Sequence, residues 1–274
     1  MRWIALSTLA LASTPLWAET EAPAAPPPRW ELGAFTLGVS QQAYPGADQQ
    51  VRRAVVLPYL LYRGPYLRSD GETTGLRALR TAQFEFDVGF AGSFGSGAQD
   101  IEARRGMPRL GTLVELGPRL KWNLGPAPAQ GRWQAVFPLR AVFDLSDGMA
   151  QRGWAFEPEL IYSRRSTSGW RYSLGLGAIA ADQRLAHTFY GVRPEQALAE
   201  RPAYAARAGL VAWRLASGFS KPLGRDWRVF GFARLDSVAG AANRASPLVR
   251  QDLGWSAGLG FSYTFARSSE PGVD

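Results

Sequence analysis

Glu157 and Glu159, two positions apart, and the single histidine, His187, are the residues of this chain best suited to acid–base chemistry. On a strand, positions two apart share a face, so the two carboxylates could form a paired acid–base site. The surrounding pattern favours another use: Arg119, Arg140 and Arg165 fall on the corresponding faces of nearby segments, and acids opposite arginines make a structural ion-pair network. His187 lies in a predicted loop over 184–202, beside Thr188, with no partner at a spacing that would complete a triad. Having no cysteine and one histidine, the chain lacks disulfides, thiolate chemistry and the usual zinc ligand sets. Gly175-x-Gly177 sits inside a strand pattern, without the helix a dinucleotide site requires. The sequence thus offers no catalytic residue, no cofactor-binding residue and no metal ligand, and it implies no cofactor.

The elements that carry these residues are strands of one kind. In 82–94, Phe84, Phe86, Val88, Phe90 and Phe94 share one face, opposite Gln83, Glu85, Asp87, Gly89, Ala91 and Ser93. In 110–124, Val114, Leu116, Pro118, Leu120, Trp122 and Leu124 oppose Glu115, Arg119, Lys121 and Asn123. In 133–145, Trp133, Phe137, Leu139 and Phe143 oppose Gln134, Arg140 and Asp144. Trp154, Phe156, Pro158, Leu160 and Tyr162 oppose Glu157, Glu159, Ser163 and Arg165, and over 251–265 Leu253, Trp255, Leu259, Phe261, Tyr263 and Phe265 oppose Asp252, Ser256, Ser262 and Thr264. Repeated apolar/polar alternation in spans of this length predicts an all-β, transmembrane, antiparallel up-and-down barrel, apolar outside and polar inside. Inward Glu115, Arg119, Arg140, Glu157 and Glu159 are then expected to meet across a narrow lumen and largely occlude it. Segments 29–41, 51–63, 203–220 and 226–238 are apolar on both faces, which leaves their orientation open. Segment 65–81 is interrupted at Asp70-Gly71 and Gly75; splitting it predicts twelve strands, and merging or dropping a weak strand gives ten.

The ends fit export. Arg2, the apolar run Trp3–Ala12 and Pro15-Leu16-Trp17-Ala18 predict a signal peptide over 1–18. Residues 19–28, rich in Pro and Ala, predict a periplasmic tether, 29–265 the barrel and 266–274 a C-terminal tail. Beyond the signal no run of roughly 18 apolar residues remains, so no helical span is predicted. The formal charge is +8, carried almost wholly by arginine. The arginines are scattered rather than clustered, which points away from nucleic acid and toward a lumen lining or contacts with lipid and lipopolysaccharide phosphate.

Connection lengths set a sense of insertion. Short turns near 125–131, 166–169 and 223–226 alternate with long loops at 95–109, 146–153, 184–202 and 239–250, as periplasmic turns and extracellular loops do. Trp122, Trp133, Trp170 and Trp227 stand beside the short turns, and Trp154 and Trp255 open strands on the opposite rim, matching two interfacial girdles.

Certain segments resemble the MipA/OmpV family of outer-membrane proteins. They are Tyr44-Pro45-Gly46-Ala47-Asp48 with Leu57 to Gly64; Leu113-Val114-Glu115-Leu116-Gly117-Pro118; Phe189-Tyr190-Gly191-Val192 with Gln196-Ala197 and Tyr204; and Ser246-Pro247-Leu248-Val249 before Tyr263-Thr264-Phe265. The blocks occur in family order across most of the mature chain. The resemblance implies a non-enzymatic protein of the Gram-negative outer membrane. It also implies a scaffold role, with a lytic transglycosylase and a penicillin-binding protein as partners. A small-solute channel and a loop-mediated adhesin are the competing readings.

Overall fold

The computed structural model describes residues 27–63, 67–69, 74–93 and 101–272. The signal, most of the tether, Phe94 and the first part of the 95–109 loop lie outside the described residues, as does the side chain of Phe90. The strands are β1 (Trp30–Gln42), β2 (Gln50–Arg63), β3 (Leu67–Ser69), β4 (Thr74–Arg80), β5 (Phe84–Ser93), β6 (Leu113–Ala127), β7 (Gly131–Asp144), β8 (Ala150–Phe156), β9 (Glu159–Arg165), β10 (Arg171–Ala181), β11 (Gly209–Leu223), β12 (Trp227–Ser237) and β13 (Leu253–Arg267). Apart from β8 and β9, which do not pair with each other, each pairs antiparallel with its neighbours in chain order, and β13 pairs along β1 to close the sheet into a ring. β8 and β9 share one place between β7 and β10. The thirteen segments therefore make a twelve-stranded barrel among the described residues.

Four segments differ from expectation. The strand expected over 154–165 breaks at Glu157-Pro158, because proline has no N–H to give the ladder. Glu157 N donates instead to Pro138 O (3.2 Å) and Ala178 N to Pro158 O (3.1 Å), and pairing resumes with the same face outward. Within 184–202 the chain forms a helix, α1 (Gln183–Tyr190), whose Asp182 cap accepts from Leu185 N. The alternation at 203–220 becomes a strand only from Gly209, and β13 continues two residues beyond Phe265.

Alternation decides what meets lipid. Phe86, Leu116, Leu139 and Leu259 are exposed on the outer face, while Glu85, Arg140 and Ser262 line the interior. Glu115 reaches the interior through its bond to Arg140. Aromatic pairs ring the end of the barrel that bears the short turns: Phe84–Trp122, Trp133–Tyr162, Trp170–Tyr172 and Trp227–Tyr263. Trp154, Trp213 and Trp255 are exposed near the end that bears the long loops. The first and last described residues lie at the turn end, where Pro28 bridges Pro271. Between two girdles of this kind the exposed Leu and Phe side chains form the apolar band that a bilayer requires.

The well-packed core lies at the loop end rather than mid-barrel. Tyr44, Ile101, Met107, Leu110, Val142, Leu185, Tyr190, Val192, Val238 and Leu248 form one buried cluster there. Replacing mid-membrane Leu259 with Arg is expected to cost about 2–4 kcal/mol in liposome folding titrations, because the charge enters hydrocarbon. Gln134→Arg, whose side chain enters the lumen, should change stability by no more than about 0.5 kcal/mol.

Candidate functional site

The inward faces of the strands form a polar wall in which charges pair with their neighbours. Asp87 on β5 and Arg119 on β6 are direct register partners, so the guanidinium forks onto the carboxylate with bonds of 2.8 and 2.7 Å. One step toward the turn end, Lys121 Nζ bonds Glu85 (3.0 Å) and also reaches Asp87 (3.2 Å). Arg140 on β7 donates to Glu115 at 3.0 Å and to Glu157 at 3.1 Å. Arg214 and Asp236, register partners on β11 and β12, form a second fork at 2.7 and 2.9 Å. Glu159 fits because Gly175, diagonal to it on β10, has no side chain; a Cβ there would strike its carboxylate.

The two carboxylates of Glu157 and Glu159 lie on an inward face that arginines share. Glu157 is held by Arg140, and Arg119, Arg140 and Arg165 all line the interior with Glu157 and Glu159. His187 sits on α1, exposed and away from that lining. Among the described residues no group of His, Cys, Asp and Glu side chains could hold a metal ion. These ion pairs were expected to meet across the lumen and fill it. They instead join adjacent strands and lie flat on the wall, leaving a cavity of about 1310 Å³.

The cavity reaches the turn end, where Gln130, Arg225 and Asp226 line it, and extends up to Ile179, Arg140, Arg214 and Arg234. Beyond that level the apolar cluster begins. Its hydrogen bonds join loops remote in sequence: Tyr44 Oη donates to Leu248 O (2.7 Å), Tyr190 Oη to Pro45 O (2.9 Å) and Ser246 Oγ to Tyr190 O (2.7 Å). The rings of Tyr44 and Tyr190 meet edge to face at 6.1 Å. Burial pushes the Tyr44 phenol up to about 12 and that of Tyr190 up as well, so both stay neutral donors. Arg201, 5 % exposed, donates to the carbonyls of Ala103, Arg105 and Gln196 and clamps two loops together. Three of the segments that carry the family resemblance, around Tyr44, Tyr190 and Ser246, converge in this cap. The sequence identified those segments but gave no sign that they meet.

The family model described as "MltA-interacting protein MipA" matches residues 33–265. Among solved structures, the chain is similar to one titled "Bacterial polysaccharide outer membrane secretin" (8% identity, 86% of this chain and 99% of that one, TM-score 0.46). It is also similar to a NanC porin (10% identity, 84% and 98%, TM-score 0.40). A third similar structure is an outer membrane channel from Pseudomonas putida F1 (12% identity, 88% and 96%, TM-score 0.35). No curated protein matches the chain.

Replacing Arg140 with Met strands two partly buried carboxylates beside each other. The expected loss is about 3–5 kcal/mol by urea unfolding in detergent, and Glu115→Gln in the same chain should recover part of it.

Proposed function

The chain belongs to the MipA family, and from that premise we propose that it is a non-enzymatic docking protein of the outer membrane rather than a through-channel. The observation that carries this reading is the contrast between the two ends. The loop end is closed by a buried apolar cluster tied by inter-loop hydrogen bonds. The turn end is open and carries the paired Pro28 and Pro271. In an outer-membrane barrel the short turns face the periplasm, so the open cavity and the tether face the periplasmic envelope enzymes. A lytic transglycosylase is the partner that the family's description suggests, with a penicillin-binding protein as the further partner of a murein scaffold. The same contrast weighs against the small-solute channel, since a solute entering from the periplasm meets the cap. An adhesin would use the outer surface of that cap, and nothing in its geometry favours this over a purely structural plug.

Two measurements on one detergent-solubilised preparation test the reading. Planar-bilayer recordings should show no steady conductance, whereas Leu248→Asp, which places a charge at the centre of the cap, should give discrete openings. Pull-down from solubilised envelopes should recover a murein enzyme, and deleting the tether should weaken its capture. Steady porin-like conductance of the native chain, with no envelope enzyme captured, would put the channel in its place.

A further inference from the structure

The cavity has more positive charge than its ion pairs consume. Its wall holds twelve cationic side chains against eight carboxylates, counting Asp87, Glu115 and Asp236, which pair with Arg119, Arg140 and Arg214. Arg132, Arg165, Arg228 and Arg234 all line it and, among the described residues, none of their guanidinium groups joins an ion pair or donates a hydrogen bond. Such an arrangement is stabilised by an anion from outside the chain, and a guanidinium fork suits a carboxylate or phosphate.

Arg132 and Arg165 stand on β7 and β9, whereas Arg228 and Arg234 stand on β12, in a wall that also carries aromatic rings. Counting round the ring, β12, β13, β1 and β2 lie across from β5 to β9. On that side Phe230 covers Gly260, Phe232 covers Gly258 and Tyr59 covers Gly33, each ring lying where a Cβ would otherwise stand. Phe35 meets Phe230 at 6.3 Å, and the Arg234 guanidinium stands 4.9 Å over the Phe232 ring. Because the rings lie over glycines, they form an aromatic wall without filling the lumen. Hydroxyl and amide groups line the same space: Ser173 and Ser220 on the strands between, Ser262 and Thr264 on β13, and Gln134 on β7. An acyl chain would need a continuous apolar tunnel, which these polar groups interrupt. A sugar ring has an apolar face for an aromatic wall and hydroxyls for Ser, Thr and Gln, and an acidic sugar adds carboxylates for the arginines.

We propose that the lumen is a binding cup for an acidic oligosaccharide, with carboxylates held by Arg132, Arg165 and Arg228 and sugar rings stacked on Phe230 and Phe232. The reading of a periplasm-facing docking protein enters only as the side from which the ligand arrives. A binding test in detergent does not depend on that side, so the two can fail separately.

Isothermal titration of the full chain in detergent should show hexagalacturonate binding that weakens with salt, and no binding of maltohexaose, a neutral chain of the same length. Arg165→Gln and Arg228→Gln should each weaken hexagalacturonate by about tenfold. Arg52→Gln, outside the cavity lining, should leave it unchanged. Phe232→Leu, which keeps an apolar side chain but removes the ring, should weaken it severalfold, with thermal unfolding showing that each variant is folded. Equal binding of maltohexaose would remove the role of the arginines, and no binding of either sugar would overturn the cup altogether. Tighter binding of a short polyaspartate, unaffected by Phe232→Leu, would replace the saccharide with an acidic peptide.

Discussion

Hydrocarbon has no hydrogen bonds to offer a peptide group, so a sheet that crosses a bilayer must leave no long free edge among its lipid-facing strands. The ladder between β13 and β1 meets that demand by joining the last strand to the first. Once the ring is closed, alternation does the sorting: one face of every strand meets lipid and the other meets an enclosed space. That space has to be filled, paired or wetted. In this chain all three happen at different heights, with a packed apolar cap at the loop end, neighbour-to-neighbour ion pairs on the wall, and an open cavity toward the turns.

The strands read most easily in the sequence were those whose two faces differ most. β5, β6, β7 and β13 set Phe, Leu and Trp against Glu, Arg, Lys and Ser, and their orientation followed directly. β1, β2 and β12 stayed ambiguous because their inner face is apolar too: Phe35, Tyr59, Phe230 and Phe232 line the lumen, so alternation cannot separate lumen from lipid. α1 went unread because it was placed within a long loop, although Asp182 as a cap, with Leu185, Ala186 and Tyr190 spaced to bury one face, could have revealed it. The cap was invisible for a different reason. Tyr44 and Leu248 make contact only through the fold, and no local periodicity marks such a pair. The charges were read correctly as an inward network, but their reach was not. Register decides that Arg119 finds Asp87 and Arg214 finds Asp236 on the next strand, so the pairs stiffen the wall and leave the lumen clear.

The cap also has a place in time. Tyr44 and Leu248 are 204 positions apart, and Tyr190 and Pro45 are 145 apart, so none of this packing can form locally. Contacts of such separation are slow to reach, because the intervening chain must be ordered first. The Tyr44 loop follows β1 and the Leu248 loop precedes β13, and these are the two strands whose pairing closes the ring. A barrel that has inserted but not yet zipped its final seam therefore holds the two halves of its cap apart. Docking of the loops is thus a completion step, and a capped molecule is one whose first and last strands have already found each other.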